Sequence, residues 1–248
     1  MIAPTLALLA ALAVWWAIVT IFEIPDYLLP APQAVAARIV KEWPLLVKHG
    51  VYTLLSVLTG FASAVAIGVP LAFAIVLNRG MERVAMPFLV MSQTIPKVAI
   101  APILVVWLGF GIGPKLVIIA LICFFPITVN TLDGLRSVDP DLLKMMRTLD
   151  ASRMQTFRRV EGPSALPYFF SGAKIAVAVA VIGAVFGEWA GSSSGLGHLI
   201  QQASAQLQTA RTFAAVVVLS ALAIVLFGLL AVIERRVAWW GPRSTRTP

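Results

Sequence analysis

Two ionisable side chains stand inside long apolar runs: Lys97 in "SQTIPKVAIAP" and Glu188 in "GAVFGEWAGSSSGLG". A charge in a membrane segment is expensive, and by default it marks a solute or ion path. Each also has a second reading. Lys97 follows Pro96, and a helix broken at that proline lets the ammonium reach an interface. Glu188 precedes Trp189 near a span end, so the pair either anchors the chain at the headgroups or lines the mouth of a path. Pro96, Lys97, Glu188 and Trp189 are therefore the candidates for a translocation path. Lys174, about two turns inside its span, is expected to snorkel. Catalytic chemistry finds no footing. There is no G-x-x-x-x-G-K-[ST] phosphate loop, no H-E-x-x-H and no pair of intramembrane aspartates. Cys123 is the single cysteine, and His49 and His198 are far apart without ligand spacing. The expectation is a chain that is not an enzyme and has no catalytic, cofactor or metal site.

Charge concentrates instead in "DPDLLKMMRTLDASRMQTFRRVEGPSALP", residues 139–167. Asp139 before Pro140 is a helix start, since the carboxylate caps free N–H groups and proline fits the first turn. Leu142, Met145, Met146 and Leu149 recur at the spacing of one helical face. Asp150-Ala151 interrupts, and Ser152 with Gln155 has the pattern of a capping box that starts a second helix. Met154 and Phe157 share a face of it, with Arg153, Arg158 and Arg159 around them. Gly162-Pro163 is expected to stop this second helix. Two basic-flanked helices with apolar knobs either lie on anionic headgroups or form a rigid protrusion that seats in a groove of a cytoplasmic partner.

The elements around these residues are set by composition. The chain has 248 residues, 60% hydrophobic and 12% charged, about half the charge of a soluble domain. With about 20 apolar residues needed per crossing, six spans are expected, at about 4–22, 51–77, 84–108, 115–132, 168–190 and 213–234. The first reads as a retained span, lacking a basic leader region and a small-residue cleavage site. The third contains Pro87, Pro96 and Pro102, and such breaks are tolerated only beside protein or a watery cavity. Six spans place both termini on one side. Arg79, Arg83, the six basic residues Arg136, Lys144, Arg147, Arg153, Arg158 and Arg159, and the tail's Arg235, Arg236, Arg243 and Arg246 share that side. They outnumber Arg38, Lys41, Lys48, Lys115 and Arg211 opposite, so both termini and loop 133–167 are assigned to the cytoplasm. The net charge of +8 follows this sidedness and not a nucleic-acid face. Gly183, Gly187 and Gly191 form a small-residue stripe, along which two helices approach closely. That contact is either within the chain or with a second copy.

"RTLDASRMQTFRRVEGPSALP" resembles the cytoplasmic signature of ABC-importer permeases, roughly E-A-A-x3-G followed by I-x-L-P. "SQTIPKVAIAPILVVWLGFG", "FFPITVNTLDGLRSVDPDL" and "GAVFGEWAGSSSGLGHLI" resemble the nitrate, sulfonate and taurine branch, within which "SQTIPKVAIAP" and "GEWAGSSSGLG" look closest to permeases for pyrimidine precursors of thiamine or for riboflavin. The resemblance implies an all-α, polytopic type I importer permease fold over residues 1–248, in a bacterial inner membrane. It implies a homodimer, two cytoplasmic ABC ATPase subunits that bind ATP and Mg, and a periplasmic or lipid-anchored substrate-binding protein. Leu142 to Phe157, with Arg158 and Arg159, would then be the coupling helix that docks on the ATPase, and the cargo a small polar, anionic or heterocyclic solute. Lys144-Met145-Met146 stands where the family has E-A-A, and Asp150 where it has glycine. The rival reading is an ion-gradient-driven transporter without an ATPase, which calls for inverted repeats and intramembrane acids. No internal repeat is visible, and apart from Glu234 at the very end of the last span, Glu188 is the one acid within the spans.

Overall fold

The computed structural model describes residues 2–240, so Arg243 and Arg246 lie outside the described residues. Eleven helices are found among them: α1 (Ile2–Ile21), α2 (Pro32–Lys41), α3 (Trp43–Leu77), α4 (Arg79–Thr94), α5 (Lys97–Leu108), α6 (Ile112–Arg136), α7 (Pro140–Thr148), α8 (Arg153–Thr156), α9 (Gly162–Gly191), α10 (Leu196–Ala205) and α11 (Thr209–Val237). A single π turn, Phe157–Glu161, joins α8 to α9.

The centre is α6 clasped between α3 and α9. Val57 and Ala64 of α3, Ile119, Cys123 and Ile127 of α6, and Ala176, Ala180 and Ala184 of α9 form its buried core. Small residues set the spacing. A Cβ on Gly60 would lie 2.6 Å from the Ile119 side chain, and one on Gly172 would lie 2.5 Å from the Pro126 carbonyl oxygen. Helices this close gain dispersion contacts along their length without any hydrophobic drive from lipid. The outer helices are different. α1 is exposed along nearly its whole length, and α11 is highly apolar and almost unburied.

Four segments are long and apolar enough to cross a membrane as single helices: Trp43–Leu77, Ile112–Arg136, Arg153–Gly191 and Thr209–Val237. The span expected at 84–108 is not one helix. α4 and α5 meet at a 97° bend, because Ile95 precedes Pro96 and takes an extended conformation (φ −76°, ψ 123°). The stop expected at Gly162-Pro163 is also corrected, since helix runs without interruption from Arg153 to Gly191. Pro163 has no N–H to give and its ring crowds the preceding turn. The wider π turn, closed by Gly162 N donating to Phe157 O, makes room for it. Lys174, expected to snorkel, has a partner on another helix. Its Nζ donates to Glu234 Oε2 at 2.8 Å, fastening α9 to α11.

Candidate functional site

Chemistry-bearing side chains gather at both ends of the bundle. At one end, Asp139 Oδ1 accepts from Asp141 N at 2.8 Å and starts α7. After it, Asp150 turns the chain with φ +49°. Ser152 then starts α8 through a complete capping box: Gln155 N donates to Ser152 Oγ at 3.2 Å, and Ser152 N donates to Gln155 Oε1 at 2.8 Å. The turn is braced to the bundle. Arg153 bonds the buried Glu161 at 2.7 Å, and Arg136 reaches Glu82 at 2.7 Å.

This end divides its apolar residues in two. Leu142, Met145, Leu149 and Met154 are exposed, the last two at 67% and 57%. Met146 is not part of that face, because it is buried against Val138 and Val160, with Ala151 alongside. Nor is Phe157 an outward anchor. Its ring packs edge-on against Phe73 at 4.7 Å, in the cluster that holds Leu132 and Leu135. Three residues of α-helix set Phe157 about 60° around the axis from Met154, enough to turn it onto the bundle while Met154 faces out. Arg158 and Arg159 remain exposed beside the knobs.

At the opposite end, Glu188 is fully buried, neither a headgroup anchor nor a path-lining acid. Thr53 Oγ1 donates to its Oε1 at 2.8 Å and Gly197 N donates to its Oε2 at 2.6 Å. Thr53 in turn accepts from Leu196 N at 2.8 Å. The carboxylate thus pins the loop between α9 and α10 against α3. Gly195 is at φ +115° with its Cα pressed on that carboxylate, so a side chain there would collide with it. Lys115, counted above among loop cations, is instead 5% exposed at the start of α6, with Nζ 3.5 Å from Ser194 O. His49 and His198, distant in sequence, stack with ring centroids 6.4 Å apart. His49 Nδ1 sits 3.0 Å from Gly195 O and 3.1 Å from Gly195 N.

Lys115 and His198, with Glu188, Thr53 and His49 packed behind them, border a cleft of about 840 Å³ lined also by Tyr52, Ser56, Phe110, Trp189, Ser192, Ser193, Ser194 and Gln201, among others. Of the four path candidates only Trp189 lines it. Pro96 and Lys97 lie at the α4–α5 bend, where Lys97 Nζ donates to Gln93 Oε1 at 3.1 Å. The glycine stripe is filled from within the chain: Gly183 meets Ile122, Gly187 meets Lys115 and Gly191 meets Val105. It is therefore a helix seam and not a contact with a second copy. Sequence reasoning missed Thr53, Lys115 and the histidine pair as members of one site. The serine run 192–194 was the visible signal, an odd polar stretch between an apolar helix and a glycine. Among the described residues no three His, Cys, Asp or Glu side chains gather to hold a metal ion.

Residues 64–239 match the family described as binding-protein-dependent transport system inner membrane component. The chain is 37% identical over 238 residues to the formylaminopyrimidine transport permease protein ThiX of Halalkalibacterium halodurans, covering 96% of this chain and 95% of that one. It is 36% identical over 235 residues to the riboflavin transport system permease protein RibX of Chloroflexus aurantiacus, covering 94% and 88%. Among solved structures, an inward-facing MetNI methionine ABC transporter chain superposes with TM-score 0.68 at 22% identity, covering 79% of this chain and 98% of that one. That likeness is one of fold.

Proposed function

The chain belongs to the family of binding-protein-dependent transport inner-membrane components, and from that premise we propose that it forms, as a dimer, the path of an importer driven by separate ATPase subunits. The family makes it a non-enzymatic permease subunit of an ABC importer. On our reading two copies enclose the path, ATPases bind the cytoplasmic end, and a soluble receptor delivers cargo to the other. The turn from α7 to α8 is the cytoplasmic coupling element, both termini are cytoplasmic, and the membrane is a bacterial inner membrane. The observation that carries this is the exposed set Leu142, Met145, Leu149 and Met154 on a turn whose second helix is continuous with the central α9. Apolar knobs on a braced protrusion suit a groove on a partner. Their rigid link to α9 lets motion of that partner reach the core of the bundle. The 97° bend at Ile95-Pro96 supports the dimer, since broken backbone in a membrane belongs beside protein or water. The names of the relatives support a small polar, anionic or heterocyclic cargo, such as a pyrimidine precursor of thiamine or riboflavin.

The test is uptake into proteoliposomes. With its ATPase and receptor, the chain is expected to accumulate cargo only when ATP is supplied. Uptake by this chain alone, driven by a proton gradient, would overturn the reading in favour of a secondary transporter.

A further inference from the structure

We propose that the cleft at the end of α9 is a solute subsite in this chain itself, taking a flat heterocycle with its ring on the aromatic wall and its acceptor atoms toward Lys115 and the Ser192–Ser194 loop. The proposal rests on the importer reading above and names where the cargo class is recognised within the permease. At about 840 Å³ the cleft has the size of a small-molecule site. Its cationic group is Lys115, nearly excluded from water. Among the described residues its ammonium has one hydrogen bond, a long one of 3.5 Å to Ser194 O, and so keeps donors for a ligand. Glu188, the buried acid nearby, has both oxygens engaged by Thr53 and Gly197. It balances the charge of Lys115 without taking up those donors.

The wall is aromatic. Trp189 is held in one orientation, its Nε1 donating to Gly197 O at 2.9 Å and its ring set edge-on to Phe186 at 5.5 Å. Tyr52 and Phe110 border the same cleft and are exposed, Phe110 at 85%. A ring-free anion would satisfy Lys115 and leave these rings uncovered. A planar heterocycle covers them and supplies acceptors as well. Ser193 and Gln201 add adaptable hydrogen-bonding groups at the rim.

The experiment uses the purified full chain in lipid nanodiscs, without receptor or ATPase. Riboflavin is titrated by its own fluorescence, formylaminopyrimidine by calorimetry, and taurine serves as the ring-free comparison. At least one heterocycle is expected to bind saturably and taurine not to. Lys115→Gln and Phe110→Ala should each weaken that binding roughly tenfold. Phe110 is on the rim, so its truncation leaves the core intact, and thermal unfolding checks that Lys115→Gln still folds. Absence of binding by both heterocycles overturns the proposal, as does binding that neither variant changes or taurine binding equal to that of the rings. ATP-driven uptake by the complete transporter separates the two ideas. If both variants transport normally, the importer reading stands and the subsite falls. If wild type takes up cargo without ATP, the importer reading falls first.

Discussion

Asp150 has φ +49°, in the left-handed region where a β-carbon is strained and glycine is not. The family signature carries glycine at this place, and the backbone supplies the reason: the turn between α7 and α8 needs that conformation, which aspartate tolerates better than most residues. Asp150→Gly is therefore expected to hold or raise the thermal unfolding temperature. Asp150→Val should lose about 1–2 kcal/mol; equal melting of the two variants would mean the turn relaxes freely. Much of this end was legible because its signals are local. A cap, a capping box and an apolar face all lie within a few residues of one another, and Asp139, Ser152 and Leu149 do what the spacing predicts. Met146 and Phe157 were misplaced because one helical face can be assigned to a partner or to the chain's own core. Phe157 stands only about 60° around the helix from Met154, and which side of that line meets the bundle depends on Phe73, far away in sequence. Glu188 was visible as an isolated acid, but the partner that defines it, Thr53, is 135 residues away.

At the scale of elements, the spans were readable from apolar length, and their extensions were not. α3 begins at Trp43 and α9 is continuous from Arg153 because amphipathic turns continue a helix beyond the apolar window. The seam between α6 and α9 depends on glycine. A Cβ at Gly187 would come within 3.1 Å of Lys115 Cα, so a branched side chain has no room. Gly187→Leu is expected to destabilise the isolated chain by about 1–3 kcal/mol. Melting in detergent of a fraction shown by size to hold a single copy reads this directly, and an unchanged midpoint would show a seam looser than these distances. The far end is tied by Glu42, which accepts from Arg211 at 2.6 and 2.7 Å and from Arg38 at 2.9 Å, joining α2, α3 and α11. The hydrogen bond from Arg211 is the main cause that holds the Glu42 carboxyl below its ordinary range, against the opposing effect of burial. A depressed carboxyl stabilises the fold fully above its unfolded value and less as pH falls through the folded one. The stability advantage of wild type over Arg211→Gln should thus be constant near neutrality. It should shrink below about pH 4.3, the ordinary glutamate value. An advantage that grew on acidification would contradict this assignment.

The molecule as a whole has a rigid centre, and both functional ends are attached to it. On the proposed reading, the continuous helix from Arg153 to Gly191 carries the coupling turn at its start and the cleft loop at its finish, and displacement of one end would be transmitted along this one helix packed on α6. Such transmission needs a partner that grips the turn, and the residues free to be gripped are Leu142, Met145, Leu149 and Met154, the last two most of all, and not Phe157. Truncating exposed knobs and truncating a packed ring should therefore have opposite signatures. Leu149→Ser with Met154→Ser is expected to leave thermal unfolding unchanged and to cut ATPase recovery in a detergent pull-down roughly tenfold or more, since buried apolar anchors dominate such contacts at about 2 kcal/mol. Phe157→Ala is expected to lower the unfolding temperature through loss of its packing on Phe73, and to weaken docking only as far as the turn is loosened. Arg158→Ala and Arg159→Ala should each act modestly and fade at high salt, as exposed rim charges do. If the serine double variant recovers as much ATPase as wild type, the turn does not grip the ATPase. Binding of wild-type chain to anionic vesicles, weakened by the same two serines, would then assign the knobs to the membrane surface, and the continuity of α8 with α9 would serve to anchor the bundle and not to drive it.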